Sequence, residues 1–333
     1  MTIFAMLAAS VWAGMLLFWG RFWRADERLP AASVGARDFW PEVAVVIPAR
    51  DEANTISTAI RAHLTSSYAG RLQVILVDDG SSDGTGALAR SAAQRLGAAD
   101  RLTVVRAPPL EPGWTGKLWA VRAGLAQMAE IAPDARYVLL TDADIAHAPE
   151  TLTALVDWAE RRDLSLTSLM ARLDARGRWG RLLIPAFVFF FQKLYPFPLS
   201  NRPGASVAAG AGGCMLARAD ALREIGGVSA IRGALIDDCA LAAALKHGPP
   251  PRATWIGLAD REVVSLRDNR SLASVWNMVA RTAYTQLGRS PWALAGAVLG
   301  MAFLYLTPPL ALLLGLVSLE FDSAVIGGLG VAL

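Results

Sequence analysis

Two carboxylates spaced i, i+2, Asp142 and Asp144, follow the apolar run Tyr137-Val-Leu-Leu140 with Thr141 between. The run reads as a buried strand. Carboxylates at the carboxyl end of such a strand lie where open α/β sheets place ligands. Oxygen donors of this kind suit hard cations such as Mg²⁺ or Mn²⁺, which share their shell with substrate phosphates. The pair would then hold a metal against a diphosphate; a solvated turn capping the helix near Pro149 is the plain alternative. A second acidic pair, Asp237-Asp238, opens an alanine-rich helix. Helix capping explains it locally, and a general base for a hydroxyl also fits. Ahead of both, between the third and fourth predicted strands, lies Pro112-Gly-Trp-Thr-Gly-Lys117-Leu-Trp119. Glycines flanking a lysine at a helix start suit an anion, although the Gly-x₄-Gly-Lys-Ser/Thr phosphate loop is absent. A helix start with a solvated lysine is the alternative there.

The elements that would position these groups are short and regular. Val43-Ala-Val-Val-Ile-Pro48 is a β-branched strand followed by Ala49-Arg50-Asp51-Glu52, with Asn54 or Thr55 capping a helix to about residue 66. Val74-Ile-Leu-Val77 is a second strand, leading into Asp78-Asp79-Gly-Ser-Ser-Asp-Gly-Thr85 and a helix to about residue 96. Residues 102–105 and 138–140 supply a third and fourth strand, and 164–169 a fifth. Strands alternating with helices predict an α/β fold, a mainly parallel sheet flanked by helices, with one polar, acidic edge as a ligand crevice. Ala208-Ala-Gly-Ala-Gly-Gly213-Cys214-Met215 is glycine-rich but is not a dinucleotide fingerprint. Its glycines let backbone approach a ligand closely or make a tight strand entry. Residues 218–225 read as a short helix.

Composition adds a membrane. Of 333 residues, 54% are hydrophobic, and the net charge is only +3. That is too apolar for an ordinary soluble domain and gives no reason to expect nucleic acid. Residues 3–20 form an uncharged run of spanning length, followed at once by Arg21, Arg24 and Arg28, which puts its carboxyl end on the cytoplasmic side. A cleaved signal peptide would carry its basic residues before that run. Residues 179–199, rich in Phe, are too interrupted to span and read as an interfacial helix, a core helix being the alternative. Residues 271–287 have amphipathic helical spacing, and 293–319 are long enough to span, broken by Pro308-Pro309. The last ten residues are apolar but too short to cross, and are expected to be part of a second helix of a hairpin whose remainder would lie past Leu333. Cys214 and Cys239 lack metal-ligand spacing, which points to a reducing compartment. The expected organisation is a transmembrane helix at 1–24, a linker at 25–40, a catalytic domain at 41–260, an interfacial helix at 261–290 and a membrane region at 291–333.

Four motifs in order, Val45-Val-Ile-Pro-Ala-Arg-Asp-Glu52, Val77-Asp-Asp-Gly-Ser-Ser-Asp-Gly-Thr85, Thr141-Asp-Ala-Asp144 and Ile236-Asp-Asp238, resemble the family 2 glycosyltransferases of GT-A fold. The likeness covers about 41–289. The lysine-bearing stretch and the terminal membrane segments look like the hopene-associated members, with ceramide glucosyltransferases similar there. The resemblance implies a membrane-bound, inverting enzyme of the bacterial inner membrane, multi-pass with a cytoplasmic catalytic domain. It would move one sugar from a UDP-sugar to a lipid acceptor, a hopanoid at family level, with a divalent cation, Mn²⁺ or Mg²⁺. It implies that Asp78 and Asp79 contact uracil and ribose, that Pro48, Arg50 and Glu52 line the nucleotide pocket, and that Lys117 steadies the donor. Asp142 and Asp144 would hold metal and diphosphate, Asp144 more closely, and Asp238 would be the base with Asp237 beside it. Arg281 stands for the arginine of the Gln-x-x-Arg-Trp helix of processive members, but Met278 and Thr282 break that pattern, which favours a single transfer over polymerisation. A polysaccharide or polyprenyl-phosphate sugar synthase of the same fold, and a non-catalytic nucleotide-sugar-binding membrane protein, are the rival expectations.

Overall fold

The computed structural model describes residues 2–32, 39–318 and 321–332; part of the expected 25–40 linker therefore lies outside the described residues. The chain forms two compact units: one takes in Ala25–Val188 and Ser200–Val275, the other Met1–Arg24, Phe189–Leu199 and Trp276–Leu333.

In chain order the elements are α1 (Thr2–Phe18), β1 (Val43–Ala49), α2 (Ile56–Leu64), β2 (Leu72–Asp78), α3 (Thr85–Arg95), β3 (Leu102–Arg106), α4 (Gly116–Ile131), β4 (Tyr137–Leu140) and β5 (Ile145–His147). They continue with α5 (Thr151–Arg161), β6 (Leu166–Met170), α6 (Gly177–Leu194), α7 (Phe197–Ser200), β7 (Met215–Arg218), α8 (Ala219–Glu224) and α9 (Asp237–His247). Last come β8 (Thr254–Leu258), β9 (Val263–Ser265), α10 (Leu272–Gln286), α11 (Pro291–Ser318) and α12 (Phe321–Ala332).

The larger unit is built on a seven-stranded sheet in the order β3-β2-β1-β4-β7-β6-β8. β1 pairs in parallel with both β2 and β4, and only β7 runs against its neighbours. Successive side chains of a strand point to opposite faces, and both faces here are apolar. Val43, Val45, Ile47, Leu76 and Leu139 pack with Ile56, Ile60 and Leu155 of α2 and α5. Val46, Ile75, Val77 and Leu140 pack with Leu118, Val121, Leu241 and Leu245 of α4 and α9. The result is the expected three-layer sandwich, whose strands read as continuous apolar runs because neither face meets water.

The sequence predicts five strands in this sheet and offers a strand entry at the glycine-rich segment as one reading, which β7 meets; β8 and the separate antiparallel pair β5-β9 are additions. These strands have three to five residues, too few for alternation to show. The helix expected at 218–225 starts one residue later, because Arg218 ends β7. β7 matters for the site. Its antiparallel register, Met215 opposite Leu140, brings the glycine-rich segment before it to the edge where β1, β2 and β4 end.

Helix α6 gives Gly177–Val188 to the larger unit and Phe189–Leu194 to the other, and it is less interrupted than the sequence suggests. It runs unbroken from Gly177 with Pro185 inside, and the stretch Gly177–Ser200 is long and apolar enough to cross a membrane, as is Pro291–Val317. α1 is apolar but shorter. The segments of the other unit join through specific contacts within it: the Trp12 indole N–H donates to the Leu304 carbonyl at 3.0 Å, and the Trp19 indole to that of Lys193 at 2.7 Å.

Candidate functional site

Each motif falls on the carboxyl edge of the sheet. At the end of β1 and β2 two loops are laced together. The Asp51 carboxylate accepts from the Ser82 amide at 2.8 Å, the Glu52 amide donates to Thr85 Oγ1 at 2.8 Å, and the Ala53 amide donates to Asp83 at 2.9 Å. Hydrogen bonds, the Thr85 hydroxyl foremost, pull the Asp83 carboxyl below its ordinary value. Asp51 adopts a positive φ of 53° to make this crossing, a conformation that Asp tolerates better than most residues. Asp78 Oδ1 accepts from the Ser81 amide at 2.8 Å. Asp78 lines a concavity together with Gly80, Ser81, Arg90 and Arg106, and the two arginines were not anticipated. Asp79 lies 3.6 Å from the Arg50 guanidinium, whose side chain is largely exposed.

At the end of β4 the cluster tightens. Lys117 sits in the first turn of α4, whose amino terminus is capped by Thr115 accepting from the Leu118 amide at 3.3 Å. Its Nζ lies 2.8 Å from Asp142 and 3.3 Å from Asp237. Burial pulls the ammonium's pKa down, but the carboxylates of Asp142, Asp237 and Asp238 outweigh it and the net shift is upward, so Lys117 stays charged. Asp238 is oriented by two backbone donors, Gly212 N–H to Oδ2 at 3.0 Å and Cys239 N–H to Oδ1 at 2.8 Å. Burial, and then the neighbouring charge of Asp237, push its carboxyl up to about 6, against the pull of Lys117. Pro48, Thr141 and Asp142 line the same pocket as Lys117, Asp237 and Asp238.

Gly212 explains its own identity. A Cβ there would stand 3.0 Å from Lys117 Nζ and 3.7 Å from carboxylate oxygens of both Asp142 and Asp238. The close approach expected of these glycines is thus made to the charged cluster, and at Gly210 to the Asp238 carbonyl, 2.7 Å from where a Cβ would be.

Asp144 is buried and turned elsewhere. Arg267, just after β9, donates through Nε to Asp144 Oδ2 and through Nη2 to Glu52 Oε1 at 3.1 Å. Nothing local in the sequence marks Arg267; it reaches Asp144 only because β9 pairs with β5, which begins one residue after Asp144. Behind the turn, Thr141 Oγ1 donates to the Gly213 carbonyl at 2.7 Å and meets His147 Nε2 at 3.0 Å. With the hydroxyl proton committed to Gly213, Nε2 carries the imidazole proton. The His63 ring lies 4.6 Å from that of His147, tilted by 45°. Burial lowers His63 to about 4 and drives His147 well down too, so both are neutral. Among the described residues no group of three or more His, Cys, Asp or Glu side chains is arranged to hold a metal ion. Arg281 belongs to α10, in the other unit.

A mostly parallel sheet with helices on both faces and an acidic crevice at its carboxyl edge is the GT-A architecture of nucleotide-sugar transferases. A solved mannosyltransferase from Pyrobaculum calidifontis, in complex with GDP-Man and Mn²⁺, shares the fold with a TM-score of 0.60 and 20% identity, covering 99% of this chain and 96% of that one. The chain belongs to glycosyl transferase family 2, whose model matches residues 44–226. An N-acetylglucosaminyltransferase of Mesorhizobium japonicum is 28% identical over 140 residues, 42% of this chain and 30% of the relative. An undecaprenyl-phosphate 4-deoxy-4-formamido-L-arabinose transferase of Edwardsiella ictaluri is 32% identical over 146 residues, 42% of each. The chain thus spans under half the length of these curated relatives.

Proposed function

We propose that this chain is a membrane-bound, inverting glycosyltransferase that moves a single sugar from a UDP-sugar to the hydroxyl of a lipid, with a hopanoid as the leading acceptor class, in a bacterial inner membrane with its catalytic unit cytoplasmic. The observation that carries the reading is Asp238, fixed by two backbone N–H groups and raised to about 6 beside the Lys117–Asp142 pair. A base poised near neutrality suits removal of a hydroxyl proton. A phosphate acceptor, already ionised, has no need of one, so the same observation weighs against a polyprenyl-phosphate acceptor despite the name of the Edwardsiella relative.

In this mechanism Asp238 takes the acceptor hydroxyl proton. The oxygen forms its bond to the anomeric carbon as the bond to the diphosphate breaks on the opposite face, and UDP leaves with the electron pair. Asp237 keeps Lys117 in place, and Lys117 stabilises negative charge on the departing diphosphate. Asp78 and Asp79 take uracil and ribose, and Pro48, Arg50 and Glu52 line the nucleotide pocket. Arg281 stands for the arginine of the processive motif, and the broken motif around it favours one transfer over chain growth.

The residues fit a divalent cation. Asp142 and Asp144 are hard oxygen donors two residues apart, each paired with a cationic side chain, Lys117 and Arg267, whose place a metal would take, and Mg²⁺ or Mn²⁺ in such sites takes one or two carboxylates with phosphate oxygens and water. When bound, the cation would neutralise charge on the leaving diphosphate. The long apolar helices support a membrane location and an amphipathic acceptor.

The test is transfer of label from UDP-glucose, UDP-galactose or UDP-N-acetylglucosamine into organic-extractable lipid by membranes containing the chain, with Mn²⁺ or with EDTA. Transfer that needs the metal and falls about 10²-fold or more in Asp238→Asn, with UDP still bound, is expected. Label in insoluble polymer, or none with UDP bound, would overturn it.

A further inference from the structure

We propose that Arg267 gates Asp144: its guanidinium holds, in the donor-free chain, the charge position that a divalent cation takes, so that metal and donor bind together rather than separately. The proposal rests on the reading of Asp144 as a metal ligand.

Asp144 is buried, and a buried carboxylate needs a positive partner. Here that partner is Arg267, which bridges Asp144 and Glu52, a residue on the metal side and a residue on the nucleotide side of the reading above. The bridge is built into the fold. Ser265 stands opposite Ile145 in the β5-β9 pair, and the Leu266 amide donates to the Asp144 carbonyl at 2.8 Å, so the backbone beside Arg267 is sewn to the turn that carries Asp144. The Arg267 side chain is itself 54% exposed, whereas that of Asp144 is 10% exposed. A fixed backbone with a half-exposed guanidinium makes a hinged cation on an anchored post.

Two cations on the Asp144 carboxylate repel each other, so a metal ion alone must break the Arg267–Asp144 pair and leave the guanidinium with Glu52 and water. A metal ion arriving with a diphosphate need not leave it so. The phosphate oxygens offer the guanidinium a new acceptor, and arginine's planar fork binds phosphate through paired hydrogen bonds. The exchange conserves the charge balance: Arg267 passes from carboxylate to diphosphate as the metal takes the carboxylate.

Mn²⁺ binding to the detergent-solubilised full chain, read from the magnetic-resonance signal of the free ion, tests this without any turnover. The parent chain should bind Mn²⁺ weakly alone and at least tenfold more tightly with UDP. Arg267→Gln should bind Mn²⁺ about tenfold or more tightly without UDP, the range expected for removing a charged hydrogen-bond partner, and its dependence on UDP should shrink. Arg267→Lys, which keeps the charge, should stay near the parent. Arg172→Gln, which removes a guanidinium paired instead with Asp260, should leave Mn²⁺ affinity unchanged. Equal Mn²⁺ affinity in the parent with and without UDP, or no gain in Arg267→Gln while Asp144→Asn abolishes binding, would overturn the gate and leave the metal reading standing. Unchanged binding in Asp144→Asn would overturn both.

Discussion

At the scale of single residues the site is a charge balance, with Lys117 against Asp142, Asp237 and Asp238. The sign of its pH dependence follows. In the proposed mechanism Asp238 would work as a base only when ionised, and its carboxyl is raised to about 6, first by burial and then by Asp237. The rate should therefore fall as pH drops through about 6 and level off above it. Lys117 opposes the shift, so Lys117→Met should move the acid limb to higher pH as well as lower the plateau. A pH profile of label transfer at saturating donor measures both; an acid limb unmoved in Lys117→Met would separate the lysine from the base. Much of this cluster was legible in the sequence, because Asp142, Asp237, Asp238 and Lys117 lie in short motifs at strand ends or helix starts. Arg267 and His147 were not, since each acts on the Asp-x-Asp turn through a pairing that no local pattern records.

At the scale of elements, the placement of Asp238 depends on a strand, β7, that the sequence marks only as one of two readings of the glycines before it and whose direction no local pattern records. The parallel strands were legible because β1 and β2 are continuous apolar runs ending in polar motifs. The four residues of β7 hide between a glycine-rich loop and a helix. Yet β7, running antiparallel beside β4, is what delivers Gly210 and Gly212 to the first turn of α9. Gly210 has no room for a side chain: a Cβ would lie 2.7 Å from the Asp238 carbonyl and 2.8 Å from the Met215 methyl. Gly210→Ala must therefore push α9 or β7 aside, a distortion that costs typically 1–3 kcal/mol. The expected outcome is a lower melting temperature together with a lower kcat at nearly unchanged donor KM, since the nucleotide loops at β1 and β2 are built separately. A variant that lost donor affinity and kept kcat would contradict this assignment of the loop.

At the scale of the whole molecule, segments distant in sequence assemble into a unit whose chemistry differs from that of the catalytic one. Its outward side chains are large and apolar, Phe18 being 82% and Val317 83% exposed. Its inward contacts are close and use small residues: a Cβ on Gly327 would fall 2.3 Å from the Leu312 amide nitrogen, and one on Gly330 2.9 Å from Pro308. Small residues at helix contacts with apolar groups facing out are what lipid, acting as the solvent, selects. Arg21, Arg24 and Arg28 follow α1 directly, and in the proposed orientation the bias of basic residues toward the cytoplasm would put the carboxyl end of that helix, and the catalytic unit, inside. Sugar nucleotides are cytoplasmic, so donor supply and charge bias agree. The chain should therefore stay with the membrane pellet through both high-salt and alkaline carbonate washes, because hydrophobic insertion is insensitive to either, whereas binding by surface charge is screened by salt. Protease added to intact spheroplasts should spare the catalytic unit, and protease added to inside-out vesicles should cut it. Release by carbonate would reduce the apolar helices to surface anchors; cleavage in intact spheroplasts would reverse the orientation and remove the active site from its donor.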